Sequence, residues 1–141
     1  VIVHERKVKP ITSTSELAKL IRGCSRFHRS RIDPATKSFQ AIRIHINNEL
    51  FEIKVGLESA LTLLKLGGRL LIISFHSLED RIVKHRFRDL DLIGREGLRE
   101  NSQKSPAFRL VKPKLLRASD KEKSLNPRAR SARLRAIERC L

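Results

Sequence analysis

Apolar residues recur at steps of three and four through the first half of the chain, at Phe39, Ile42, Ile46, Leu50, Ile53, Leu57, Leu61 and Leu64. This is one helical face held for about thirty residues. Arg43, Glu49, Glu52, Lys54 and Glu58 occupy the opposite side. Asp33-Pro34 opens the segment, with Asp33 as N-cap and Pro34 at the first helical position. Gly56 marks a bend or a break between two helices. A coiled-coil seam is the rival reading, but Gly67-Gly68 and the apolar run after them favour a domain core.

That run, Arg69-Leu70-Leu71-Ile72-Ile73-Ser74-Phe75, is almost unbroken and predicts a strand buried on both faces, as in a parallel sheet. Ser77 then reads as an N-cap, with Glu79 and Asp80 in the first turn where the helix dipole favours carboxylates. Leu78, Ile82 and Phe87 carry this helix to about residue 92. Helix, strand, helix is the mark of an α/β domain.

The flanking segments are less regular. Residues 1–12 read as the end of a preceding element. Ser13-Thr14-Ser15-Glu16 has capping-box spacing and predicts a short helix over 14–22, ended by Gly23. Residues 24–33 form a basic loop with Arg26, His28, Arg29 and Arg31. Residues 93–107 are polar and contain glycine, which predicts a loop. Phe108–Val111 predicts a short strand, and Ser119–Leu125 one helical turn. Ser131–Ala136 alternates small or apolar with basic residues and reads as a half-exposed edge strand, with a short helix through Ala132, Ala136 and Ile137 as the alternative. A buried parallel strand needs parallel neighbours, and none is visible. Val1 starts a chain without a single Met. Both points lead us to expect part of a larger domain.

Charge narrows the field of partners. Lys and Arg number 31 against 15 Asp and Glu, a net charge of +16. Such an excess points to a polyanion, nucleic acid first and an anionic membrane surface second. With six Phe and no Tyr or Trp, phosphate and shape contacts should outweigh base stacking. Cys24 and Cys140 have no paired spacing and suit a reducing compartment; Cys24 with His28 is too few ligands for zinc. No apolar run is long enough to span a bilayer, and no recognition-helix motif of a DNA-binding module is present.

Candidate chemistry concentrates at one corner. Ligands of open α/β sheets sit beyond the carboxyl ends of the strands, which nominates Ser74, Phe75, His76 and Ser77 as an active-site wall. His76 is a candidate proton acceptor, a donor to a phosphate or base, or a structural residue bonded to nearby backbone. Arg81 is placed to pair with one of the neighbouring acids. Arg128, Arg130, Arg133, Arg135 and Arg139, with Lys112, Lys114, Arg117, Lys121 and Lys123, form a candidate phosphate-binding surface. No glycine-rich loop joins a strand to a helix, so no dinucleotide or P-loop cradle is present, nor is a Gly-x-Ser-x-Gly elbow or a metal-ligand cluster.

Several motifs resemble one family in order along the chain. They are Pro10-Ile11-Thr12, Pro34-Ala35-Thr36-Lys37-Ser38-Phe39-Gln40-Ala41-Ile42-Arg43-Ile44, Asn47-Asn48-Glu49-Leu50, and Gly67-Gly68-Arg69-Leu70. Ile73-Ser74-Phe75-His76-Ser77-Leu78-Glu79-Asp80-Arg81-Ile82-Val83-Lys84 and Asn126-Pro127-Arg128-Ala129-Arg130-Ser131-Ala132-Arg133-Leu134-Arg135 complete them. Together they resemble the bacterial ribosomal RNA small subunit methyltransferase H family. The resemblance implies a cytoplasmic enzyme that uses S-adenosyl-L-methionine to methylate the exocyclic N4 of a decoding-site cytosine in small-subunit (16S) rRNA. It implies a Rossmann-like methyltransferase domain with an inserted helical domain. Residues 1–50 would be the C-terminal part of the insert and residues 51–141 the C-terminal part of the Rossmann-like domain. On that basis His76 is the candidate catalytic residue beside the wall of Ser74, Phe75 and Ser77. Arg43, Arg128, Arg130, Arg133 and Arg135 are the candidate RNA contacts. The family's cofactor-binding residues lie in its N-terminal half and match no position here, so the chain by itself is expected to be inactive. The alternative is a non-catalytic basic RNA-binding remnant.

A sheet cut from its neighbours exposes apolar surface. The isolated chain is therefore expected to lack a cooperative, monomeric thermal unfolding transition. Calorimetry with light scattering checks this, and a sharp monomeric transition would contradict it.

Overall fold

The computed structural model describes residues 1–24, 32–99 and 108–140, with the side chains of 94–99 left aside. Internal contacts divide the chain into Val1–Glu49 and Leu50–Leu141.

Among its described residues the first unit holds three helices: α1 (Ile2–Val8), α2 (Thr14–Cys24) and α3 (Ala35–Ile46). The Ser13 hydroxyl accepts from the Glu16 amide at 3.1 Å, while Glu16 reaches back to accept from the Thr12 amide at 3.1 Å. This is the reciprocal capping that the spacing predicts, set one residue further back on the carboxylate side. Gly23 does not end α2, which runs through it to Cys24. Asp33 caps α3, accepting from the Ala35 amide at 2.9 Å, and pairs with Arg22 through Nε at 3.0 Å. The basic loop predicted over 24–33 lies largely outside the described residues.

The single long helical face is in fact two helices. α3 closes at Ile46, and α4 runs from Glu49 to Leu63. The break falls at Asn47-Asn48, where Asn48 takes a left-handed φ of 52°. Asn tolerates this conformation far better than most residues with a Cβ. Gly56 continues α4 without interruption, in open space. In the sequence the three-and-four spacing of apolar residues runs on through Asn47-Asn48, which is why periodicity alone does not register the break.

The second unit is a mixed α/β layer. β1 (Arg69–Ser74), β2 (Phe108–Leu110), β3 (Leu116–Arg117) and β4 (Arg133–Arg139) form one sheet, with α5 (Ser77–Arg99), α6 (Asp120–Leu125) and a 3-10 turn (Pro127–Ser131) between them. β4 is central: β1 lies on one side, β2 and β3 on the other, all antiparallel to it. Two expectations are thus corrected. β1 has no parallel neighbour among the described residues, and β4 is not an edge strand. α5 also runs beyond residue 92 to Arg99, through the start of the predicted 93–107 loop; residues 100–107 lie outside the described ones. The predicted turn at 119–125 is α6, capped by the Ser119 hydroxyl accepting from the Glu122 amide at 3.2 Å.

Burial follows the pleat. Leu70 and Ile72 of β1 and Ile137 of β4 face α4 and α5, packing with Leu57, Leu61, Val83 and Phe87. Leu71 and Ile73 point the other way and are 56% and 58% exposed, with Phe75 beyond the strand at 55%. The apolar run is therefore covered on one face only among the described residues. At the far end of the sheet Glu138 accepts from Arg69 Nε at 2.7 Å, which holds its carboxyl below the usual range, and pairs with Arg109. Gly67 turns the chain into β1 with φ of 73°, and a Cβ on Gly68 would meet the Lys65 carbonyl oxygen at 2.8 Å.

Phe87 is fully buried at the centre of this core. Phe87→Ala should lower stability by about 3–5 kcal/mol, read from the denaturant midpoint of the intact protein.

Candidate functional site

The carboxyl end of β1 meets the first turn of α5. His76 is the true N-cap, where the spacing suggests Ser77. The His76 carbonyl accepts from the Asp80 amide at 3.2 Å and its Nδ1 accepts from the Glu79 amide at 3.3 Å. Glu79 reaches back, its Oε2 accepting from the amides of Phe75 at 2.8 Å and His76 at 3.1 Å. This is a capping box with an imidazole where a hydroxyl usually stands. Because Nδ1 accepts, the neutral ring carries its proton on Nε2. Nε2 is buried, lies 3.3 Å from Glu79 Oε1 without hydrogen-bond alignment, and has no hydrogen-bond partner among the described residues.

Asp80 fastens this turn to the sheet. Its side chain is buried and accepts from Arg135 Nε at 2.6 Å, Arg135 Nη2 at 3.2 Å and Arg133 Nη1 at 3.0 Å. The Arg135 hydrogen bond foremost, then that from Arg133, holds the Asp80 carboxyl below the ordinary carboxylate range despite its burial. The local pairing expected between Arg81 and an acid gives way to this long-range one. A signal for it was present in the sequence. Asp80, Val83, Phe87 and Asp91 are spaced three, four and four apart and are all buried, so two aspartates share the apolar stripe of α5. Acids on a core face demand partners. Asp91 meets the demand by accepting from the Leu110 amide at 3.1 Å.

A cleft of about 360 Å³ opens at this corner. Phe75, His76 and Ser77 form one wall; Arg117 of β3, Arg130 and Ser131 of the 3-10 turn, and Arg133 of β4 form the other. The turn exists because Asn126 accepts from the Arg128 amide at 3.1 Å, Pro127 occupies the first position, and Ala129 is buried. Burying Ala129 leaves Arg128 and Arg130 exposed on either side.

The structure thus brings together Phe75, His76, Ser77, Arg130 and Arg133 of the predicted site residues, and adds Arg117 and Ser131. Ser74 is buried behind the wall, its hydroxyl 3.5 Å from the Arg133 carbonyl oxygen. Arg128 is exposed but does not line the cleft. The Arg135 side chain is only 10% exposed and gives its donors to Asp80 and, at 2.9 Å, to the Lys114 carbonyl oxygen. Arg139 donates to the Leu64 carbonyl oxygen at 2.6 Å. Arg43 belongs to the first unit, where it forms a double hydrogen bond with Glu49 at 2.8 and 3.1 Å.

The cleft suits an anion. Arg117 and Arg130 have no acidic partner among the described residues. The sulfonium of S-adenosylmethionine is itself a cation, so three guanidinium groups are a poor match for it. No glycine sits between a strand and a following helix to cradle a nucleotide cofactor. The residues of this cleft therefore do not fit that cofactor.

An α/β chain with a cationic cleft at a strand's carboxyl end has side chains suited to hold an anion. The comparison with known families makes the assignment specific: the chain belongs to the MraW methylase family, whose model matches residues 1–140. It is 47% identical to the ribosomal RNA small subunit methyltransferase H of Neorickettsia sennetsu, over 98% of this chain and 42% of that protein. It is 49% identical to the protein of the same name from Granulibacter bethesdensis, over 99% of this chain and 43% of the relative. With that from Rickettsia bellii it shares 46% identity, over 98% and 47% respectively. The chain thus spans less than half the length of these relatives. Among the described residues no helix is long and apolar enough to cross a membrane.

Replacing Asp80 tests the fastening. Asp80→Asn leaves Arg133 and the nearly buried Arg135 without their counter-charge, and should cost about 3–5 kcal/mol. The sign of the pH effect follows from the lowered folded pKa. The contribution is complete above the unfolded carboxylate pKa of about 4 and is lost as pH falls through the lower folded value. The acid limb of a Tm-against-pH curve should therefore flatten in Asp80→Asn. An unchanged acid limb would mean that other carboxylates carry it.

Proposed function

We propose that this chain is part of an enzyme that methylates the exocyclic N4 of a decoding-site cytosine in small-subunit (16S) rRNA. It would act in the cytoplasm on RNA held within the small ribosomal subunit. The observation that carries this reading is the cleft in which the Phe75-His76-Ser77 wall faces Arg117, Arg130 and Arg133. Membership of the methylase family and the names of its relatives supply the reaction class. S-adenosyl-L-methionine would supply the methyl group when bound. The cleft arginines do not fit it, and the relatives are more than twice as long. We therefore assign its binding to parts of the enzyme outside these residues. On this reading residues 1–50 belong to a helical insert and residues 51–141 to a Rossmann-like domain.

The chemistry asks two things of this chain. Cytosine N4 is a weak nucleophile because its lone pair is delocalised into the ring, so the base must be held in line. As the new C–N bond forms, N4 must lose a proton to an acceptor. With Nδ1 accepting from the Glu79 amide, neutral His76 offers Nε2–H. That nitrogen is buried, so His76 acts on the base through the wall it caps rather than by taking the N4 proton. Ser74, Phe75 and Ser77 shape the wall, and Arg128, Arg130 and Arg133 face the backbone. Arg135 holds the turn through Asp80.

One observation favours a second reading, a non-catalytic RNA-binding remnant: the three arginines of the cleft are a poor match for a cationic methyl donor. Methyl transfer to isolated small subunits separates the two. The intact protein should be active and the chain alone inactive. An intact protein that binds the subunits without transferring methyl would favour the remnant.

His76 separates capping from chemistry. His76→Ala removes the cap and should cost about 1 kcal/mol, whereas Asn caps helices well and should restore most of it. Both variants of the intact enzyme should lose at least tenfold in kcat, a barrier change of about 1.4 kcal/mol. Unchanged kcat in His76→Ala would remove His76 from the reaction.

A further inference from the structure

We propose that Arg117 and Arg130 form a clamp for a single backbone phosphodiester, next to the nucleotide whose base passes the Phe75-His76 wall. This rests on the RNA-directed reading of the same cleft and deepens it by dividing the labour among its arginines.

Four arginines crowd this corner, and they are not equivalent. Arg135 is buried and its donors are spent on Asp80 and the Lys114 carbonyl. Arg133 gives Nη1 to Asp80 and is about one-third exposed. These two are structural anchors whose charge Asp80 partly neutralises. Arg117 and Arg130 are exposed, line the cleft, and have no carboxylate partner among the described residues. Both sit on short, sheet-anchored segments: Arg117 pairs with Arg133 in the β3–β4 register, and Arg130 follows the buried Ala129 in the capped turn.

The helix terminus itself is not the anion site. The Glu79 carboxylate already accepts the Phe75 and His76 amides, and His76 Nδ1 accepts the Glu79 amide. The Glu79 carboxylate thus lies at this helix terminus, where its negative charge opposes a phosphate. An anion entering the cleft must be held by side chains, and guanidinium groups match phosphate geometry. Ser77 and Ser131, also on the cleft wall, offer hydroxyl donors beside them. A cleft of about 360 Å³ has room for one phosphodiester and its sugars, not for a duplex groove. The positioning is therefore nucleotide by nucleotide, as for a strand whose target base is unstacked.

The test uses the intact protein and a small-subunit rRNA fragment carrying the target cytosine. Binding is measured from 0.05 to 1 M salt, on the order of the range in which phosphate contacts dominate. Arg117→Gln/Arg130→Gln is compared with a charge-matched control on the outer face of α5, Lys84→Gln/Arg88→Gln. One lost phosphate contact lowers the slope of log K against log salt by about 0.9, which raises Kd about eightfold at 0.1 M relative to 1 M salt. We expect that change in the cleft variant and a smaller one in the control. An unchanged slope, an equal change in the control, or a fall of about two units would each overturn the single-phosphate clamp. So would loss of binding to phosphatidylglycerol vesicles with RNA affinity intact, which would make the cleft a lipid-headgroup site. RNA binding needs no methyl donor, so a protein that transfers no methyl but shows the expected slope change defeats only the catalytic reading.

Discussion

The second unit depends on the burial of Asp80 between two arginines of β4. A helix of 23 residues and the central strand of a sheet are joined near one end by a single carboxylate accepting three hydrogen bonds. Charge burial of this kind is tolerable only when every group is matched. That matching places the His76 cap beside the Arg130 turn and so gives the cleft its two walls. The apolar contacts of Val83, Phe87 and Ile137 supply the bulk of the adhesion. They are less directional than the ion pairs, which specify how the helix end sits on the strand.

Electrostatics at the corner show a sorting of like charges by burial. The same short stretch, Arg128 to Arg135, contributes a cation that leans on solvent, one that lines a cleft, one that bridges, and one sealed into the protein. Net charge alone cannot make that distinction. Only pairing with Asp80 separates the cations that hold the fold from those left to meet an anion.

Much of this was legible in sequence. The helical stretches, the strand at 69–74, the caps at Ser13 and Asp33, and the placing of Phe75, His76 and Ser77 at the strand's carboxyl end all follow from periodicity and from short-range hydrogen-bonding chemistry. What escaped has a common cause, long-range pairing. An unbroken apolar run says that a strand is apolar, not which way its neighbour runs, and β1 is antiparallel to a strand some sixty residues away. The three-and-four spacing of apolar residues runs on through the left-handed Asn48, so the α3–α4 break was silent, while the more conspicuous Gly56 proved neutral. His76 was legible as a functional candidate but not as a cap, because imidazole is an unusual group in that role. The role of Asp80 was readable in principle, since it shares the stripe of Val83 and Phe87, but its arginine partners lie 53 and 55 residues away.

The central position of β4 has a consequence for biosynthesis. Side chains that meet across β1 and β4 are 59 to 69 residues apart in sequence. Until β4 has left the ribosome, β1 has no described strand to pair with, and α5 has nothing to neutralise Asp80. The nascent protein must carry an apolar strand and an unmatched acid through several seconds of elongation at about 5–20 residues per second. A stop before Arg133 would then remove the common partner of all three other described strands, rather than fray one end.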